Sequence, residues 1–438
     1  MMSMKQFRLL ITSTLLLCLT SAQAQKYVGG DISLLPTYEE HGANYMDKDG
    51  KAITDVLTFL KEQGLNAMRV RLFVDPSLAS DEAKAQGVRQ DLDYVKALGK
   101  RIKDAGLQFM LDFHYSDTWA DPGQQLYPKS WIPAPNEDTL PIEETVYYYT
   151  KDCLEQLVAA GATPDFIQTG NEISFGMLWG NILEGKYEEW EEYGGRLEAT
   201  ADWKDYTDKH WDNFTNMLKA ASKACREVCP EAKIILHTEQ CANNPTLDVA
   251  FFNHIKEHEV EFDIIGTSYY PYYKGPVSNL DKGLKELESN FPDKQIMVVE
   301  TGCGYHYEVG DKDKQYYPLT YEGQRQFTEE LITMLNKHPN VNGLFWWFPE
   351  ANEYGLDWAT QRVTDGWYNA SLFDNETGRA LPALYELKNF NGDSTGFKTI
   401  KAGRQNEDAW YTLDGKKLNG IPDINGLYIN NGQKLIVR

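Results

Sequence analysis

Eight short apolar runs recur along the 438-residue chain, and stretches with helical periodicity lie between them. The runs are Tyr27–Gly30, Ala67–Val74, Gln108–Phe113, Phe166–Thr169, Ile234–His237, Asp263–Ser268, Ile296–Glu300 and Gly343–Trp347. Turn residues bound them, as expected of strands covered on both faces. The helical patterns are Ile53–Gln63, Leu92–Ala105, Glu143–Ala160, Asp205–Val228, Val249–His258, Leu280–Ser289 and Gly323–His338. Gln63-Gly64, Ala105-Gly106 and Ala160-Gly161 supply helix stops, because glycine takes the left-handed conformation that ends a helix. This alternation predicts an α/β protein with a (β/α)8 TIM barrel. The rival, an open doubly wound sheet, calls for a GxGxxG turn after its first strand, and none follows Gly29-Gly30.

The two ends depart from this pattern. Lys5 and Arg8 precede the largely apolar run Leu9–Leu19, and Ala22-Gln23-Ala24 has the small-x-small form of a cleavage site. Residues 1–24 are expected to be a signal peptide cut near Ala24-Gln25, leaving a secreted, periplasmic or cell-surface bacterial protein. Lipoprotein processing at Cys18 is the alternative, disfavoured because Leu17 stands where a small residue belongs. No other stretch approaches the ~18 apolar residues of a membrane-spanning helix. The barrel is expected over residues 25–390, a linker over 391–404 and a small C-terminal β-hairpin module over 405–438. The module rests on short β-prone runs such as Gly426–Ile429 and Lys434–Val437, punctuated by turns such as Asp414-Gly415. Cys225 and Cys229 lie one helical turn apart without a second pair, which reads as buried thiol rather than zinc ligand.

Acidic residues outnumber basic ones 65 to 43, a net charge of -22, and that field disfavours a nucleic-acid partner. A neutral polymer is compatible with it, and the chain is expected to act as a monomer without a membrane span. Aromatic residues make up 13% of the chain, and many fall in loop-like stretches that a core does not explain.

In a barrel the chemistry sits where the strands end. The fourth run ends in Gly170-Asn171-Glu172 and the seventh at Glu300, so two glutamates face one mouth. Retaining glycoside hydrolysis needs such a pair about 5–5.5 Å apart, one carboxyl protonated and the other ionised. Alternation in Met68-Arg69-Val70-Arg71-Leu72 puts both arginines on one face, the barrel interior, where one beside Glu300 would keep it ionised. His114 and Asp117 follow the third run and His237 ends the fifth, as candidate substrate contacts. Trp119, Trp131, Trp179, Tyr269, Tyr270, Tyr272, Trp346 and Trp347 lie at or just after strand ends, where rings stack on the apolar faces of sugars. No HExxH or histidine cluster points to a catalytic metal.

Together these motifs resemble glycoside hydrolase family 53, the arabinogalactan endo-β-1,4-galactanases of barrel clan A. The resemblance spans about residues 27–390 and rests on Gly29-Gly30-Asp31-Ile32-Ser33, Arg69-Val70-Arg71, His114 to Gly123, Gly170-Asn171-Glu172-Ile173 with Trp179, Ser268-Tyr269-Tyr270-Pro271, Val299-Glu300-Thr301 and Gly343-Leu344-Phe345-Trp346-Trp347. It implies Glu172 as acid/base, Glu300 as nucleophile, Asn171 on the sugar 2-hydroxyl, Tyr269 or Tyr270 steadying Glu300, and Trp347 beneath the bound sugar. Asp31, Arg69, Arg71, His114, Asp117, Trp119, Trp179 and His237 complete the expected substrate-binding set. The implied partner is β-1,4-galactan in pectin side chains. Phe348 stands where the family tends to carry an acid, with Glu350 two residues later, and His237-Thr238-Glu239 carries Glu where Asp is expected. No cofactor is expected for catalysis. The resemblance also implies a structural calcium, with Asp311, Asp313 and Asp374 as candidate ligands. Other barrel endoglycanases, acting on mannan, xylan or β-glucan, and a non-catalytic galactan-binding protein remain the alternatives.

Overall fold

The computed structural model describes residues 25–132, 140–183, 186–307, 315–366 and 368–390, and in the tail 398–400, 410–412, 417–418, 422, 426–430 and 433–437. The expected signal peptide, Cys18, Asp311 and Asp313 lie outside the described residues.

Eight parallel strands close into a barrel: β1 (Tyr27–Asp31), β2 (Ala67–Leu72), β3 (Gln108–Phe113), β4 (Phe166–Thr169), β5 (Lys233–Thr238), β6 (Ile264–Tyr269), β7 (Gln295–Thr301) and β8 (Val341–Trp347). β1 pairs with both β2 and β8, which completes the ring. The main helices around it are α1 (Val56–Glu62), α2 (Leu92–Asp104), α3 (Ile142–Ala159), α4 (Trp211–Val228), α5 (Pro245–Glu257), α6 (Val277–Asn290), α7 (Tyr321–Leu335) and α8 (Pro382–Glu386). The (β/α)8 expectation therefore holds, and Gly64, Gly106 and Gly161 all adopt positive φ at the predicted stops. Side-chain caps start the helices where donors would otherwise go unpaired: Asp55 accepts from the Thr58 amide, Asp91 from Tyr94 and Thr320 from Gly323.

Alternation along the strands sorts two layers. Ala67, Met110, Phe166, Ile235, Ile264, Met297, Val299 and Phe345 pack together as the barrel interior. The opposite faces, including Val70, Leu111, Ile167, Ile234 and Leu344, join the much larger core beneath the helices. Further along the inward-facing rows the apolar side chains give way to Arg69, Arg71, Asp112, Gln168 and His237, all fully buried. The apolar plug thus lies toward the strand starts and the polar layer toward the strand ends.

Three features differ from expectation. α4 begins at Trp211 rather than Asp205, because the preceding residues fold back in a turn bridged between Ala199 and Tyr206. Between β4 and α4 the chain also forms two antiparallel ribbons, Gly176–Met177 with Gly195–Arg196 and Gly180–Leu183 with Lys186–Glu189. The tail makes a five-stranded sheet, in which Lys398–Ile400, inside the stretch expected as linker, pairs in parallel with Gln433–Val437. Cys153, Cys225, Cys229, Cys241 and Cys303 are buried free thiols. Among the described residues no helix is long and apolar enough to cross a membrane.

Candidate active site

A cavity of about 490 Å³ opens at the strand ends, and Glu172, Glu300, Asn171, Trp119, Tyr270 and Trp347 are in its walls. Glu172 reaches it from an unusual backbone. It follows Gly170, whose φ of +99° suits glycine, and itself adopts φ 48° and ψ 54°. The left-handed conformation costs a side-chain-bearing residue about 1–2 kcal/mol, so the surrounding bonds must hold it.

Glu300 arrives by a different device. Simple alternation from Met297 and Val299, which face inward, would turn Glu300 toward the helices. Between β6 and β7 the register runs Thr267 with Val298 and then Ser268 with Glu300, so Val299 is an extra, bulged residue. The bulge resets the alternation and aims Glu300 into the barrel.

A buried network supports both carboxyls. The Arg69 guanidinium donates to Asp31 (3.0 Å), Asp112 (2.7 Å) and the Asn171 amide oxygen (2.9 Å), and its Nη1 lies 2.9 Å from Glu300 Oε1. Arg71 donates to Asp31 at 2.6 Å and stacks beneath Trp347 and Trp119. The Tyr270 hydroxyl donates to Glu300 Oε2 at 3.1 Å. His237 Nε2 lies 2.8 Å from the Ser268 hydroxyl, which also points to Glu300 Oε2 at 3.5 Å. Burial, then the charge of Arg69, push the His237 imidazole well below its usual range, so it is neutral at pH 7. Burial acts to raise the Asp112 carboxyl, but Arg69 and His114 outweigh it and hold it below the usual range.

The two glutamates differ in surroundings. Burial, then the charges of Glu300 and Glu239, drive the Glu172 carboxyl well above its ordinary range, against weaker pulls from the Ser268 hydroxyl and Lys274. Burial also raises Glu300, but Arg69 in direct contact and the Tyr270 hydroxyl oppose it. The expected lowering by arginine is present as a force, yet the net shift of Glu300 is upward. A protonated carboxyl and one braced by a guanidinium and a phenol therefore share one cavity. That combination can donate a proton and supply a nucleophile.

Other expected contacts fall into two groups. Trp119 and Asp117 also line an adjoining cavity of about 470 Å³, which shares Gln86, Trp119 and Gln124 with the first. Both Asp117 oxygens are used within the protein, by the amides of Asp75 (3.0 Å) and Lys129 (2.8 Å). Asp31, Arg71, His114 and His237 are buried supports behind the wall rather than exposed contacts. His114 accepts from the Ala120 amide at 3.0 Å and lies 3.1 Å from Asp112. Two expectations need correction. Tyr269 faces outward with Ile265 and donates its hydroxyl to Gly275 O at 2.8 Å, so the tyrosine on Glu300 is Tyr270. Trp179 is tied to Phe175 O at 2.8 Å beneath Arg196 and is not in the walls of the cavity that holds the two glutamates.

Asp112, Gln168, Ser268, Glu239, Tyr273 and Lys274 belong to the site and were not singled out as contacts from sequence. Asp112 carried a signal: a charge two residues beyond Met110, on a strand that is apolar between Phe109 and Leu111. Of the candidate calcium ligands, Asp374 is described. Its carboxylate caps its own turn, accepting from the Glu376 amide (3.3 Å) and the Thr377 hydroxyl, and one carboxylate alone does not build the six to eight oxygens of a calcium site.

Comparison with known proteins agrees with this geometry. The chain is 30% identical over 379 residues to a probable arabinogalactan endo-β-1,4-galactanase A of Neosartorya fischeri, covering 81% of this chain and 96% of that one. It superposes on the Ignisphaera aggregans GH53 catalytic domain with a TM-score of 0.68 at 29% identity, covering 83% of this chain and 96% of that one. A structure from a study of two fungal β-1,4-galactanases matches with a TM-score of 0.65 at 26% identity, covering 83% of this chain and 99% of that one. The model of glycosyl hydrolase family 53 matches residues 27–387, and the chain belongs to that family of glycoside hydrolases.

Proposed function

We propose that the protein is a secreted, retaining endo-β-1,4-galactanase that cuts internal bonds in the galactan side chains of pectin. The substrate class follows the relatives named galactanases. The observation that carries the mechanism is that Glu172 and Glu300 wall one cavity in unlike surroundings. Glu300 attacks the anomeric carbon as Glu172 passes its proton to the departing glycosidic oxygen, which forms a glycosyl-enzyme ester and frees the first product. Glu172, now a carboxylate, takes a proton from water, whose oxygen attacks the same carbon and releases Glu300. Arg69 and Tyr270 hold Glu300 in place for attack, and Trp347 offers a flat floor to the sugar. Secretion rests on the basic-apolar-small pattern of residues 1–24.

The test is incubation with linear β-1,4-galactan, sizing the products over time and following the anomeric proton by NMR. Mixed oligomers appearing early, with the β-anomer formed first, support the reading. Turnover by Glu172→Gln or Glu300→Gln close to wild type overturns it. Steady release of a single small sugar overturns the endo mode.

A further inference from the structure

Besides Asp121, the walls of the catalytic cavity hold one more acid beyond the two glutamates already described: Glu239, just past the end of β5. Its side chain is buried and fully committed. Oε2 accepts the Ser174 hydroxyl at 2.7 Å, and Oε1 accepts the Gln240 amide at 2.6 Å. The Glu239 backbone amide in turn donates to the Ser174 oxygen at 3.3 Å, so the two residues grip each other twice. Ser174 is two residues past Glu172, in the single 3₁₀ turn Ile173–Phe175 that follows the left-handed Glu172. The carbonyl of Ser174 is pinned from the other side by the Tyr206 hydroxyl at 2.8 Å. A strained backbone persists only where its surroundings over-determine it, and these bonds are what surrounds this one.

We propose that Glu239 is a positioning residue for the acid/base: through Ser174 it clamps the strained turn that carries Glu172, and it places a further carboxyl in the same cavity. The proposal rests on Glu172 being the proton donor. The groups facing Glu172 come from four places: Glu300 on β7, Ser268 and Tyr270 at the end of β6, Lys274 on the short helix after it, and His237 with Glu239 from β5. Of these, Glu300 and Glu239 raise the Glu172 carboxyl when ionised, whereas Lys274 and Ser268 lower it; burial raises Glu239 in turn, so its charge acts on the alkaline side of its own titration. Clamp and charge can be separated. Ser174→Ala opens the clamp and keeps the charge, whereas Glu239→Gln removes the charge and leaves an oxygen able to accept the Ser174 hydroxyl.

The experiment measures kcat and KM on linear β-1,4-galactan from pH 4 to 10 for wild type, Ser174→Ala, Ser174→Thr, Glu239→Gln and Glu172→Gln, with a melting curve for each. Ser174→Ala is expected to lose kcat roughly tenfold at unchanged KM, with the alkaline limb of the pH profile unmoved. Ser174→Thr, which keeps the hydroxyl, is expected to restore kcat. Glu239→Gln is expected to move the alkaline limb down by roughly half to one pH unit, because its charge no longer holds the proton on Glu172. If Glu172→Gln is inactive while Ser174→Ala and Glu239→Gln keep wild-type kcat and an unshifted limb, the positioning role is overturned and the galactanase reading stands. If Glu172→Gln itself turns over galactan, both fall. Should Glu239→Gln fail to fold, the Ala and Thr pair at Ser174 decides alone.

Discussion

Arg69 Nη1 lies 2.9 Å from Glu300 Oε1, and the same guanidinium also holds Asp31, Asp112 and Asn171. One planar cation thus joins β1, β2, β3, the end of β4 and β7. The arrangement uses the fork geometry of arginine, which a lysine ammonium cannot reproduce.

Arg69→Lys is therefore expected to keep the charge and lose the alignment. We expect kcat to fall by about a hundredfold or more, given that misplacement of about 1 Å costs that much. The acid limb of the pH profile should stay close to wild type in Arg69→Lys and move to higher pH in Arg69→Met, where the positive charge that lowers Glu300 has gone. Arg69→Met should go further and destabilise the fold by about 3–5 kcal/mol, since the buried Asp112 would lose its guanidinium and Asp31 would keep Arg71 alone. Urea unfolding and pH-rate profiles for both variants check this. A fully active Arg69→Met would contradict it.

Tyr270→Phe removes one hydroxyl from Glu300 and leaves the ring in the cavity wall. The 3.1 Å bond favours the ionised carboxyl, so its loss should raise the acid limb of kcat/KM and cost about tenfold in rate near neutrality. Tyr269→Phe, which loses only the bond to Gly275 O, should leave that limb where it is. The contrast between these neighbours is the measurement: equal shifts in both would undo the assignment.

Much of this site could be read along the chain. Arg69 and Arg71 share the parity of Ala67 and do face inward, and the loop after β4 brings Asn171 and Glu172 to the mouth. Tyr269 could have been placed from alternation, since Ile264, Gly266 and Ser268 face one way and Tyr269 the other. Glu300 could not. Its inward aim depends on the bulge at Val299, which is set by pairing between two strands and leaves no mark in local alternation. The ribbons after β4 escaped for a related reason. They are short, polar and exposed in part, so no apolar period announces them.

Glu350 supplies a prediction about stability. It is fully buried, accepts the Leu34 amide at 2.8 Å, and is pushed up to about 8 by burial first and then by the charge of Asp31. The unfolded chain releases this proton near the ordinary value of 4.5. A carboxyl raised on folding contributes stability that is fully present below the unfolded value and lost as pH rises through the folded one. The fold should therefore weaken between about pH 4.5 and pH 8 by up to several kcal/mol from this group. Glu350→Gln keeps an acceptor for Leu34 and cannot ionise. Its melting temperature should match or trail wild type at pH 5 and exceed it at pH 9, and parallel curves across that range would rule the effect out.

Trp347 connects the buried cations to the cavity wall. One part of its ring packs over Arg71 at 4.7 Å and Arg69 at 5.7 Å, and another forms cavity wall beside Glu172 and Glu300. The guanidiniums fix the ring from behind, so a sugar stacking on it meets a surface already ordered and loses little further entropy. Trp347→Ala removes the floor and uncovers Arg71 at once. Measured in a Glu172→Gln background, where no substrate is consumed, binding of a galacto-oligosaccharide should weaken by tenfold or more, about 1.4 kcal/mol. Trp347→Phe should recover part of that binding and most of the stability, because a smaller ring still covers Arg71. Calorimetric titration of the three proteins separates the contributions. Unchanged affinity in Trp347→Ala would mean that the sugar rests elsewhere in the cavity.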